Sequence, residues 1–121
     1  MRKKKKEREK RSPKELAQMK RNLAAASAID HAANMMRLTG SRTRLKVLYL
    51  LDTVGELCVA DLGQILRVSE SGISQHLALL RMNGLVASRR RAPTVDYRLT
   101  DHPFIATLRD LFLRQLRGAG G

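Results

Sequence analysis

The stretch Val59-Ala-Asp-Leu-Gly-Gln-Ile-Leu-Arg-Val-Ser-Glu-Ser-Gly-Ile-Ser-Gln-His-Leu-Ala-Leu-Leu80 carries two short apolar periodicities separated by a break. Leu62, Ile65 and Leu66 repeat at helical spacing, and Arg67-Val68 interrupts them with a tight turn. Ser69 has the side chain of a helix cap, because its hydroxyl can accept from a backbone N–H of the first turn. Ile73, Leu77 and Leu80 then form a second inward stripe, and Asn83-Gly84 stops it with residues that tolerate positive φ. Two short helices joined by a tight turn, the second capped by serine, predict a helix-turn-helix.

Outward from this unit the period changes. Leu85-Val-Ala-Ser-Arg89 precedes Arg90-Arg-Ala-Pro-Thr94, and then Val95, Tyr97 and Leu99 alternate with Asp96 and Arg98. This period of two predicts a hairpin with a basic tip. Thr100-Asp101 is expected to cap a last helix, with Pro103 in its first turn and Phe104, Leu108, Leu111, Phe112 and Gln115 or Leu116 on its apolar face. Upstream, Ser41 can cap a helix carrying Leu45, Leu48 and Leu51, which Val54-Gly55 ends. Further upstream, Ser12-Pro-Lys-Glu15 is a capping box with proline in the first turn. Leu16, Met19, Leu23, Ala26, Ile29 (or Ala33) and Met36 follow on one face, predicting a single helix over about residues 13–37. Such a helix exceeds what so small a core needs, so it is expected to pack on another chain.

The chain has 121 residues, 24 Lys+Arg against 11 Asp+Glu, a net charge of +13 and a sequence pI of about 11.1. That length suits one compact domain. Apolar residues make up 43% but aromatics only 3%, so the interior must be aliphatic, which favours helices. The basic excess is uneven: residues 1–21 hold eleven basic and three acidic groups, a net +8. The expected organisation is a disordered basic arm over 1–11, a helical DNA-binding and dimerisation domain with a β-wing over 12–117, and a frayed tail over 118–121. The arm reads equally as a solubilising tail or as a follower of DNA phosphates. One cysteine excludes an internal disulfide and fits a reducing cytoplasm. No apolar run approaches the roughly 20 residues of a membrane span, and the Met1-Arg-Lys-Lys-Lys-Lys start lacks the apolar stretch of a secretory signal. No membrane partner is expected.

Glu56-Leu-Cys-Val-Ala-Asp-Leu62, Ser69-Glu-Ser-Gly-Ile-Ser-Gln-His-Leu77, Leu80-Arg-Met-Asn-Gly-Leu-Val86 and Val95-Asp-Tyr-Arg-Leu99 resemble the arsenic-repressor (ArsR/SmtB) family of winged-helix regulators. The resemblance covers about residues 33–112 in the family's order. It implies a mainly α fold with a small β-hairpin: a winged helix-turn-helix that dimerises through its first and last helices. It implies further a repressor on a double-stranded operator, released by an inducer whose identity it does not give.

The residues agree with that implication. Between the inward positions of the second helix of the motif stand Glu70, Ser71, Ser74 and Gln75. Gln75 can pair bidentately with adenine, and Ser71 and Ser74 can reach bases or phosphates. Gly72 is expected to let the helix start approach the duplex, with backbone N–H groups favouring phosphate there. Arg89, Arg90 and Arg91 are expected to grip the DNA backbone or the minor groove. His76 is placed either to contact DNA or to pack against the wing, and His31 belongs to an exposed or interface position. The plainer alternative makes all of these solvent-facing polar residues.

Family members that bind metal use particular positions. Asp101 stands where the last-helix site needs an aspartate, but Pro103 replaces the histidine, and Arg114 and Arg117 replace the second pair. The other site keeps Cys58, while position 60 is Ala and the arm has neither Cys nor His. Soft metals want two or more thiolates. Cys58 and Asp61 thus make a weak candidate pair, or a partial site completed across a dimer; otherwise Cys58 is a small buried apolar residue. Cys58 as a redox or inducer site requires an exposed, acidified thiol. No cofactor is expected. An enzyme finds no nucleophile motif, no paired carboxylates in a pocket-like context and no phosphate-binding glycine loop. The competing reading is a sequence-tolerant architectural DNA-binding protein held mainly by its charge.

Overall fold

A computed structural model describes residues 10–120, and the chain divides into a first unit through Ala33 and a second from Asn34 onward. In the first unit, α1 spans Pro13–Ala25. It starts as its sequence requires: the Ser12 hydroxyl accepts from the Glu15 N–H at 3.2 Å, and the Ser12 N–H donates to Glu15 Oε1 at 2.9 Å. No residue of α1 is buried within the chain.

The single helix expected over 13–37 is two. Ala26 leaves helical geometry at φ −87°, ψ 69°, and α2 runs from Ala28 to Thr39. The Ala24-Ala-Ala26 run offers no large side chain to hold the turn by packing. Ser27, three residues before Asp30, places a second helix-start pattern inside the apolar periodicity.

The second unit holds a core that is aliphatic as composition demands: Val47, Leu48, Leu62, Ile73, Leu77, Leu80, Leu85, Ile105 and Leu113 are fully buried. Helix α3 spans Arg42–Val54, its Ser41 hydroxyl accepting from the Arg44 N–H. Helix α4 spans Val59–Leu66, and α5 spans Glu70–Met82 with Ser69 Oγ accepting from the Gly72 N–H at 3.0 Å. The turn between them depends on two residues. Arg67 takes the left-handed conformation at φ 58°. Gly63 leaves room for it, since a Cβ there would lie 2.8 Å from the Val68 carbonyl oxygen. Past Asn83, Gly84 reverses the chain at φ +78°.

The wing is larger than the expected hairpin. Among the described residues β1 (Leu57–Cys58), β2 (Val86–Arg91) and β3 (Thr94–Leu99) form an antiparallel sheet in the order β1-β3-β2. The basic tip is corrected: pairing continues through Arg90↔Val95 and Arg91↔Thr94, so the arginines lie in β2 and Ala92-Pro93 makes the turn. Three consecutive arginines conceal the strand because they lack apolar alternation. The register puts Leu57, Val86, Tyr97 and Leu99 on the face that packs on the core. Cys58, Arg89, Arg91 and Asp96 take the other face.

The last helix begins one residue later than its expected Thr100-Asp101 cap: His102 is the cap, its Nδ1 accepting from the Phe104 N–H at 2.9 Å. Thr100 Oγ1 instead donates to the Gly84 carbonyl. The helix runs as α6 (Pro103–Leu108), a π turn (Arg109–Leu113) and α7 (Arg114–Gly120). Thus Gly118, where the sequence predicts a frayed tail, is helical; glycine weakens a helix without forbidding its backbone ladder. Arg109 Nε donates to Asp52 Oδ1 at 2.7 Å and ties the π turn to α3. No described helix is long and apolar enough to cross a membrane. Nearly all of the expected basic arm, residues 1–9, lies outside the described residues.

Candidate nucleic-acid interface

The buried stripe on α5 fixes which residues it can present. With Ile73, Leu77 and Leu80 inward, Glu70, Ser71, Ser74 and Gln75 are all exposed. At about 100° per residue, Ser71 and Gln75 lie nearly opposite the stripe with Ser74 flanking them. Glu70 projects to the side, beside the turn that follows α4. These side chains offer a hydroxyl pair, a carboxamide and a carboxylate, a donor and acceptor set suited to base edges. Gly72 serves the fold rather than an approach to a duplex. A Cβ there would lie 3.0 Å from Val68 Cγ1 and 3.2 Å from Ser69 Oγ, inside the turn.

His76 is half-buried and is turned to α3, not to the wing. Arg44 spans the two: its Nε donates to the Leu38 carbonyl at 2.6 Å, and its Nη1 lies 3.2 Å from His76 Nδ1. A guanidinium can only donate, so Nδ1 accepts and a neutral ring carries its proton on Nε2. Burial, and secondarily the charge of Arg44, lower the pKa of His76 from its ordinary value. His76 thus anchors α5 from its flank. Arg44 escaped the sequence reading because its position in the first turn of α3 looks like an ordinary surface site.

The three arginines of β2 are not equivalent. Arg89 Nη2 lies 2.8 Å from Glu56 Oε1, while Arg91 Nη1 lies 3.4 Å from Asp96 Oδ2 and 3.8 Å from Glu56 Oε1. Alternation turns Arg90 to the opposite face beside Val95, and it makes no ion pair among the described residues. Glu56 was also missed in the sequence, since nothing local says that it reaches a strand 33 residues away.

Cys58 is half-buried rather than buried, at the cap position of α4 and opposite Asp96 in the sheet. It lines an open groove of about 880 Å³ together with Glu56, Asp61, Arg91 and Asp96. Asp61 is exposed in the first turn of α4, where its charge suits the helix dipole. Among the described residues no three His, Cys, Asp or Glu side chains gather as a metal site. At the last-helix positions Pro103 offers no side-chain donor and Arg114 is a cation paired with Asp110 at 2.9 Å, while Cys58 brings a single thiol where soft metals want two or more.

The model of the "Bacterial regulatory protein, arsR family" matches residues 41–88, which run from the cap of α3 through the helix-turn-helix into β2. The arsenical resistance operon repressor of Escherichia coli is 44% identical over 68 residues, covering 56% of this chain and 58% of the repressor. A cadmium resistance transcriptional regulatory protein of Staphylococcus aureus, a CadC homolog, is 33% identical over 96 residues, covering 79% of this chain and 78% of its own. The transcriptional activator HlyU of Vibrio cholerae is 39% identical over 90 residues, covering 74% and 76%. A solved structure of HlyU superposes with a TM-score of 0.62 over 72% of this chain and 97% of that one, at 34% identity.

The His76 geometry has a consequence for stability. A depressed pKa means that the unfolded chain binds a proton the folded chain resists. The stabilisation is complete above the unfolded value of about 6.5 and is lost as pH falls through the lower folded value. Urea midpoints should therefore fall as pH drops from neutrality, and His76→Gln should flatten that dependence. Identical pH profiles for both proteins would contradict the Arg44–His76 assignment.

Proposed function

Because the chain belongs to the arsR family of bacterial regulatory proteins, and is thereby a sequence-specific DNA-binding transcriptional regulator, we propose that it works as a homodimeric repressor. The single observation that carries this reading is the exposed polar face of α5, held over a fully buried aliphatic stripe. In this reading Ser71, Ser74 and Gln75 meet base edges in the major groove, and Glu70 borders them. The wing arginines Arg89, Arg90 and Arg91 meet the sugar-phosphate backbone, which positions the helix without carrying sequence information. His76 supports the helix through Arg44 instead of touching DNA. Repression is supported by the likeness to the Escherichia coli operon repressor. Regulation is by binding alone, with no reaction catalysed and no cofactor required, in the cytoplasm where the operator is.

A dimer follows from apolar surface the chain leaves open. Leu16, Met19 and Leu23 are exposed on α1, and Leu111 and Leu116 are exposed in the last helical segment. Large apolar side chains exposed together along a helix mark a surface that a partner covers. The domain that binds DNA and dimerises thus extends over 12–117, preceded by a basic arm over 1–11 that adds phosphate contacts. Release from the operator belongs to an inducer other than a metal held by the last-helix positions. Cys58, on its groove, is the residue to watch for one.

Two measurements test this reading. Sedimentation at micromolar concentration should show a dimer, and a monomer there would remove the dimeric operator model. Gln75→Ala should cost about 1–3 kcal/mol on the operator and little on random duplex. Equal losses on both DNAs would show that Gln75 does not read sequence.

A further inference from the structure

We propose that Glu56 is a built-in competitor of the DNA phosphates for the wing, an inference that rests on the DNA-binding reading above. The sequence gives the wing three consecutive cations, but the structure gives two of them carboxylate partners. Arg89 is held by Glu56 at 2.8 Å, and Arg91 is shared between Asp96 at 3.4 Å and Glu56 at 3.8 Å. Glu56 lies just before β1, so one carboxylate reaches across the sheet to a pair of arginines on the same face of β2. Arg90, on the other face, is left without an ion pair among the described residues, as is Arg98 of β3.

The exposures decide what such pairs can do. The Arg89 and Arg91 side chains are 54% and 60% exposed, so they are held but reachable from solvent. Glu56 is 25% exposed, recessed behind them. An exposed ion pair of this kind is weak, and a phosphate can displace it. The displacement leaves an uncompensated carboxylate next to the polyanion, which opposes binding whatever the base sequence. Guanidinium groups do not titrate, so the strength of the wing's grip is set by the carboxylate side. Glu56 therefore lowers sequence-independent affinity while leaving the α5 readout untouched, and so raises the share of binding that depends on sequence.

The test is fluorescence anisotropy on operator and random duplexes across a salt series, using the full chain. Glu56→Gln keeps the side chain's size and removes its charge. It should tighten binding to both DNAs by about two- to fivefold per protomer and steepen the salt slope by about one unit per protomer. On an Arg89→Ala background the same substitution should give a smaller gain, since only the contact with Arg91 is then relieved. Arg90→Ala should weaken binding to both DNAs. If Arg90→Ala weakens binding while Glu56→Gln leaves it unchanged or weakens it, Glu56 is a positioning residue and the competition is overturned, though the wing still meets DNA. If neither Arg89→Ala nor Arg90→Ala changes binding, these arginines do not meet DNA and the competition is overturned, while the reading of α5 stands. Asp96→Asn, which releases Arg91, should give a tightening in the same sense and serves if Glu56→Gln proves unstable on melting.

Discussion

Everything the candidate interface does depends on the burial of Ile73, Leu77 and Leu80. These three side chains, fully removed from solvent, fix the roll of α5 about its own axis. A roll of about 100°, one residue's worth, would bring Ser74 inward and set leucine toward the groove. Burying unsatisfied hydroxyls and exposing leucine both cost free energy, so the sequence permits one orientation. The Arg44 bridge between the Leu38 carbonyl and His76 reinforces it from the flank, and Gly63 with Arg67 fixes the angle at which α5 leaves α4.

The second determinant is electrostatic, and it acts on affinity more than on selectivity. A net charge of +13 on a chain of 121 residues attracts any polyanion. Undirected attraction of that size would favour binding everywhere along DNA. In the proposed competition the carboxylates of Glu56 and Asp96 temper it at the wing, the element that follows α5. In the proposed reading the division of labour is between a polar helix that discriminates and a partly neutralised wing that holds.

Much of this was legible in the sequence, and most of what was not depends on distant residues. The helix-turn-helix was readable because stripes, caps and stops are local: Ser69, Ser41 and Ser12 each cap the helix their position predicts. The exposed set Glu70, Ser71, Ser74 and Gln75 followed from the same periodicity. The interruption at Ala26-Ser27 was hidden by an apolar period that continues through it. The short strand β1 was hidden because two residues carry no pattern, and its existence depends on Tyr97 and Asp96 of a distant strand. The arginines of β2 looked like a tip because their partners, Glu56 and Asp96, are contributed by other strands or loops. His76 looked like a DNA or wing contact because Arg44 is 32 residues away. Local grammar gave the elements and their faces, whereas long-range polar pairing decided which cations and rings remain available.

The central claim is that α5 reads sequence rather than merely adding polar surface to a basic protein. The ratio of dissociation constants for the duplex upstream of the protein's own coding region and for a scrambled duplex, at one fixed salt concentration, tests it most directly. The account predicts a preference on the order of a thousandfold or more. A ratio near one, with a steep salt dependence on both duplexes, would contradict it and leave a charge-driven architectural protein in its place.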